Sequence, residues 1–252
     1  MKTLKLLLAG IALLAAACSK DAAFTDTTGK SGSITRFAVH QNYMYALNQN
    51  EVLTYSLEDA DYPVLVHRLP ADYGLETIII YDNTIYIGST SSLYILDISN
   101  PAAPSLLSKA NRQEVFLGGC DPVVVKDNYA YSTVKIIENI CGQISAQSAL
   151  IVYDVSNKTA PVTKGTYALN IPNGLGYKDN YLFICDEGSD RLEIFDISNP
   201  LSLQLTSYPL VIIDPYDLII DGDKMIVSTK SDFQIFDIGD VADIRRIGYI
   251  AK

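Results

Sequence analysis

An apolar strand followed by the same short turn recurs five times in this chain, and that recurrence restricts the fold more than any other feature. The first copy is Leu53-Thr54-Tyr55-Ser56-Leu57. The next four are Leu93-Tyr94-Ile95-Leu96-Asp97-Ile98, Leu150-Ile151-Val152-Tyr153-Asp154-Val155, Leu192-Glu193-Ile194-Phe195-Asp196-Ile197 and Phe233-Gln234-Ile235-Phe236-Asp237-Ile238. From Leu93 onward the steps between copies are 57, 42 and 41 residues, and Val52 lies 41 residues before Leu93. A period of about 40–45 residues with several short strands per copy is the pattern of β-propeller blades.

The second copy gives the unit. Thr77-Ile78-Ile79-Ile80 is a continuous apolar run suited to an inner strand buried on both faces. Tyr81-Asp82-Asn83 turns the chain, because Asp and Asn tolerate left-handed backbone angles. Ile85 to Gly88 and Leu93 to Ile98 are the second and third strands. Ser99-Asn100-Pro101 turns again, since Pro cannot continue a ladder, and Ser105 to Ser108 is the outer strand. The other copies superpose on it, with inner strands over 35–39, 123–126, 174–177 and 217–220. The expected fold is therefore all-β, a five-bladed propeller of four-stranded antiparallel blades. The blades span about 33–69, 75–109, 121–168, 173–209 and 215–250 within a domain of 33–252. Closure of the ring would rest on face packing between blades one and five, because no strand is exchanged between the ends.

The N-terminus is an address rather than part of the fold. Lys2 and Lys5 supply a positive start, and Leu6 to Leu14 an apolar core too short to span a bilayer. Ala15-Ala16-Ala17-Cys18 follows and resembles a bacterial lipobox, although Leu14 stands one place earlier than the usual Leu. The resemblance implies a signal peptide over 1–17 and a lipid on Cys18; the alternative is an ordinary secretory signal cut near Ala17. Lys20-Asp21 after the cysteine resembles the start of a surface-export tag. Residues 18–32 have the small, polar composition of a flexible tether, in which the segment near Ala23-Phe24 is able to add an edge strand. The expected location is exported, at the outer membrane or cell surface, with the membrane as a partner through the lipid.

Charge excludes one class of partner. The formal net charge is −10, and loss of Lys2 and Lys5 with the signal would make it −12. Nucleic-acid binding needs clustered Lys and Arg to neutralise phosphates, and the longest basic run is Arg245-Arg246.

The strand-ending aspartate followed by Ser-Asn-Pro, in Asp97 to Pro101 and Asp196 to Pro200, resembles the LVIVD repeat of bacterial and archaeal cell-surface proteins. Blade five departs from it with Gly239-Asp240, and blade one with Ser56 and Glu58-Asp59. The resemblance implies a propeller outside the cytoplasm with an interaction role, and it transfers no catalytic residue.

Chemistry is sparsely signalled. Each repeated aspartate belongs to its own blade, which favours turn capping over a shared metal. The Tyr43/Tyr45 and Tyr129/Tyr131 pairs have strand period and fill the space between blades. His40 and His67, the two histidines present, fall in different strands of blade one and make no cluster. Blade three carries about 15 extra residues between its second and third strands. In a meander that loop and the loop entering the inner strand emerge on one face, which brings Cys120 and Cys141 to the same rim in an oxidising compartment. A disulfide between them is expected, with Cys185 left as a buried thiol.

The loops entering the inner strands surround the central channel on that face. They contribute Tyr73, Glu76, Asp121, Asn173, Asp214, Tyr216 and Asp217, an acidic mouth suited to a cation such as Ca2+ or to a polyol. No other cofactor is implied. The leading expectation is a non-enzymatic module binding a protein or glycan through this loop face. The alternative is a hydrolase, a lyase or a cation- or glycan-binding protein that uses the acidic mouth.

Overall fold

The computed structural model describes residues 29–32, 34–111, 122–136, 148–207 and 210–252. Cys18, Cys120, Cys141 and Asp121 lie outside them, and so do the lipid site, the disulfide and the segment near Ala23-Phe24.

Five antiparallel sheets follow one another along the chain. Strand β1 (Gly29–Gly32) precedes them. Blade one is β2 (Phe37–His40), β3 (Tyr43–Leu47), β4 (Glu51–Ser56) and β5 (Val64–Pro70). Blade two is β6 (Leu75–Tyr81), β7 (Thr84–Ser89), β8 (Ser92–Asp97) and β9 (Ser105–Asn111). Blade three is β10 (Val123–Lys126), β11 (Tyr129–Val134), β12 (Ala149–Asp154) and β13 (Val162–Ala168). Blade four is β14 (Pro172–Lys178), β15 (Tyr181–Asp186), β16 (Arg191–Asp196), β17 (Gln204–Leu205) and β18 (Leu210–Val211). Blade five is β19 (Pro215–Asp221), β20 (Lys224–Thr229), β21 (Asp232–Asp237) and β22 (Arg245–Ala251). The expected five-bladed propeller is the fold observed.

Local chemistry sets the turns. The residue opening the first turn of each blade has positive φ: Gln41 at 54°, Asp82 at 52°, Asp127 at 54°, Asp179 at 52° and Gly222 at 57°. In blades two to five the aspartate ending the third strand accepts from the turn that follows. Asp97 Oδ1 takes the Ser99 amide at 2.9 Å and its hydroxyl at 2.6 Å. Asp154 does the same with Ser156 at 3.0 and 2.6 Å. Asp196 takes the Ser198 amide at 2.8 Å, and Asp237 the Gly239 amide at 3.0 Å. Bonds to the charged form hold the carboxyls of Asp97, Asp154 and Asp196 below the usual carboxylate range. In blade four the outer strand is split into two short pieces, β17 and β18.

The blades pack face to face, and each interface has its own core. Tyr45, Val52, Ile78, Ile85 and Leu96 fill the space between blades one and two. Tyr86, Ile95, Val123 and Tyr153 lie between two and three, and Tyr131, Val152, Leu182 and Phe195 between three and four. Phe183, Cys185, Leu218, Met225 and Phe236 lie between four and five. Tyrosine hydroxyls tie neighbouring blades: Tyr45 donates to Pro101 O at 3.0 Å, and Tyr81 and Tyr167 accept the amides of Asp127 and Leu203 at 3.1 and 2.9 Å. Among the described residues no such core joins blade five to blade one.

One strand departs from the sequence reading. Residues 29–32, assigned to the flexible tether, form β1 and pair antiparallel with β14, Gly29 opposite Lys178 and Gly32 opposite Leu175. That strand also packs against the inner strands β6, β10 and β19. It therefore lies on the axis side of four blades, where a propeller has its central channel. A Gly-Lys-Ser-Gly segment has no apolar period to mark it as a strand; the unpaired inner edge of β14 supplies what its own sequence does not.

Candidate functional site

The loops entering the inner strands and those joining second to third strands share one face. In blade two the Thr90 amide donates to Gly74 O at 3.1 Å, and in blade four the Glu187 amide donates to Ile171 O at 3.0 Å. Gly74 adopts φ +93°, and a Cβ there would meet the Thr90 hydroxyl at 2.4 Å, so only glycine fits beneath that loop.

Two of the seven expected mouth residues join one network. Asn173, buried on β14, accepts from Lys135 Nζ at its Oδ1 at 2.9 Å and donates from Nδ2 to Glu187 Oε2 at 3.1 Å. Lys135 also pairs with Glu187 Oε2 at 3.2 Å. Lys230 bridges Glu187 Oε1 and Asp214 Oδ1, both at 3.0 Å. Asp214 is itself in the left-handed region, and its amide donates to Asp190 Oδ1 at 3.0 Å. The chain of contacts thus links the loop faces of blades three, four and five. Burial pushes the Glu187 carboxyl up, but hydrogen bonds from Lys230, Asn173 and Lys135 outweigh it and bring its pKa down to about 2. Such a carboxylate stays ionised and accepts no proton near neutral pH.

The other expected residues that the structure describes fall elsewhere on this face. Asp217 Oδ1 accepts the Leu218 amide at 2.9 Å, and Oδ2 accepts the Ile34 amide at 3.4 Å, so it anchors the segment that follows β1. Gly174 lies against it, and a Cβ at Gly174 would stand 2.2 Å from Asp217 Oδ1. Glu76 sits half-buried on β6. Tyr73 is 72% exposed, and Tyr216, Ile171 and Ile213 are exposed as well. This face thus carries exposed apolar and aromatic side chains and a patch in which Lys135 and Lys230 offset the acids of the expected mouth.

Sequence reasoning missed Lys135, Glu187 and Lys230. All three lie in or beside loops joining second to third strands, the loops already reasoned to share this face because Cys141 lies in one of them. The signal was available. Among the described residues no group of three His, Cys, Asp or Glu side chains is placed to hold a metal. His40 and His67 stand on separate strands of blade one, each with a buried Nε2 that has no hydrogen-bond partner.

A second polar cluster lies between blades one and two. Tyr94 donates to Asp72 Oδ2 at 3.0 Å, Lys109 pairs with the same oxygen, and the Lys109 ammonium stands 5.5 Å from the Tyr94 ring. They edge an apolar pocket of about 280 Å³ lined by Val52, Leu69, Ile87 and Leu96.

Comparison with known proteins agrees with this architecture. Residues 76–111, 144–168 and 175–208 match the LVIVD repeat, so the chain carries these repeats in blades two, three and four. No curated protein sequence matches the chain. Among solved propeller structures it is similar to a periplasmic gluconolactonase of Pseudomonas aeruginosa, with a TM-score of 0.61 at 11% identity over 85% of this chain and 70% of that one. It is also similar to a functionally unknown protein from Desulfotomaculum acetoxidans, at 0.53 and 11% over 84% and 80%. A chain of a nidogen/laminin complex aligns at 0.54 and 15% over 83% and 75%. At these identities the likeness is one of fold.

Proposed function

We propose that this LVIVD-repeat propeller is an exported, lipid-anchored binding module of the cell envelope that presents its loop face to a protein or glycan. The exposed rim of Tyr73, Ile171, Ile213 and Tyr216 carries the reading. Exposed aromatic and aliphatic side chains around a polar patch are what hot spots are made of. The Lys135–Glu187–Lys230 network favours binding over acid–base chemistry, because its carboxylate is held ionised by two ammonium groups. The sequence from Lys2 to Cys18 supports export and lipidation, and a disulfide between Cys120 and Cys141 would clamp the blade-three insertion at the same rim.

Four measurements test this. Cys18→Ala is expected to leave the membrane fraction, and failure of the wild type to incorporate labelled fatty acid would refute the anchor. Peptide mapping without reductant is expected to find Cys120 joined to Cys141; two freely alkylated thiols would remove the clamp. A glycan array and a cross-linking screen of envelope proteins should give a ligand whose binding falls at least about tenfold in Tyr73→Ala/Tyr216→Ala. Turnover of a lactone or glycoside by the purified chain, lost with Glu187→Gln, would replace the binding reading with an enzymatic one.

A further inference from the structure

Each blade turns one apolar face to the blade before it and the other to the blade after it, and the strand pairings give the correspondence between blades. Thr84 pairs with Asp97, Tyr43 with Ser56 and Lys224 with Asp237, all at the same point of the meander. By that register Phe37, Val39 and Met44 of blade one stand where Ile78, Ile80 and Ile85 of blade two face blade one. At the other end Ile219, Ile226 and Phe233 of blade five stand where Ile79, Tyr86 and Leu93 of blade two face blade three. Four such pairs of faces are packed. The fifth pair has no such core among the described residues: Phe37 is 57% and Ile219 51% exposed, and Val39, Ile226, Ile247 and Ile250 are exposed with them. A groove of about 320 Å³ on this face of blade five is lined by Ile219, Ile226, Ile235 and Ile247 with Asp221 and Lys224 at its edge, and none of its described lining residues belongs to blade one.

We propose that these two faces form an interface between copies of this chain, blade five of one copy packing on blade one of the next. Three observations select a second copy. First, the faces are complementary by repetition, since four equivalent pairs already interlock within the chain. Second, their charges match. At the interface of blades two and three, Lys158 Nζ reaches back to Thr84 Oγ1 at 2.6 Å. Blade five places Lys224 where Thr84 stands, and blade one places the acidic loop Glu58-Asp59-Ala60-Asp61 where Ser156 to Thr159 stand. The lysine of one copy therefore meets the acids of the next. Third, β1 occupies the axis against the inner strands of four blades. Among the described residues no core joins blade five to blade one of the same chain, so both faces stay open to a neighbour. The contact is heterologous, using two different patches, and generates a ring or a filament along the membrane surface.

Site-specific photocross-linking in the native membrane tests the proposal. Benzoylphenylalanine at position 226, in chains co-expressed with a differently tagged copy, is expected to give a product of twice the chain mass that carries both tags. The attached peptide should come from blade one. Lys224→Glu should cut this product about tenfold, and Asp59→Lys/Asp61→Lys in the tagged partner should restore it. Ile226 is exposed in the single copy, so Ile226→Glu should keep the melting temperature while lowering the sedimentation coefficient to that of a monomer. A cross-link confined to one chain would mean that the ring closes on itself, and capture of a different protein would make this a hetero-interface. Either outcome, or no cross-link at all, overturns the proposal.

Discussion

Replacing Glu187 by Gln keeps the shape of the side chain and removes the charge on which Lys135, Asn173 and Lys230 converge. The wild-type carboxyl titrates at about 2 against an ordinary value of 4.5. Each tenfold change in a proton-binding constant is worth about 1.4 kcal/mol, which sets a ceiling of about 3 kcal/mol on the charge's contribution. The Glu187 side chain is 21% exposed and that of Lys230 largely so, and solvent screening reduces the expected loss to about 1–2 kcal/mol. The sign follows from linkage. A depressed carboxyl pKa stabilises the fold above the unfolded value, and that stability is lost as pH falls through the folded value. The urea midpoints of wild type and variant should therefore differ most at about pH 6–7, converge from about pH 4.5 downward and coincide near pH 2. A difference that does not change with pH, or no difference at pH 7, would refute the account of this network.

Other consequences follow from single contacts. Gly174→Ala drives a methyl group against Asp217, whose Cα would lie 2.8 Å from the new carbon; the expected cost is about 1–3 kcal/mol, with faster proteolysis of the segment before Phe37, and a wild-type midpoint would refute it. Asp154→Ala removes both bonds to Ser156 and should cost about 1 kcal/mol by urea titration, whereas Asp154→Ser should cost less, because Ser56 already serves blade one with a bond to the Glu58 amide at 3.4 Å. Burial raises the Cys185 thiol well above its ordinary value, so it should resist iodoacetamide until the protein unfolds, and labelling at the rate of an open thiol would contradict the core between blades four and five. Burial, and then the neighbouring Tyr43, pushes Tyr45 up to about 12; stability contributed by its neutral form is complete below pH 10 and lost as pH rises through 12, which ultraviolet titration of wild type against Tyr45→Phe measures.

How much was legible depends on the range over which each feature is encoded. Blade boundaries, turns and the capping role of the repeated aspartates follow from residues within a few positions of one another. Asp82 and Asp127 turn the chain through their own backbone preference, and Asp154 captures Ser156 two residues away. The alternation of apolar residues then assigns each strand two faces, which made the cores between blades predictable down to the Tyr43/Tyr45 and Tyr129/Tyr131 pairs.

Three features had no local signal. Strand β1 is Gly-Lys-Ser-Gly, and it orders because the inner edge of β14, more than 140 residues later, offers unpaired backbone groups. The charge-compensated patch joins Lys135 to Asp214 through Glu187 and Lys230, so its balance appears only when the loops of three blades meet. The open pair of faces is the third. By itself the sequence determined that five blades form and that each has two apolar faces, because strand period and turn chemistry are local. Whether the last face meets the first depends on the angle between successive blades and on what occupies the axis, and those are set by packing across the whole ring.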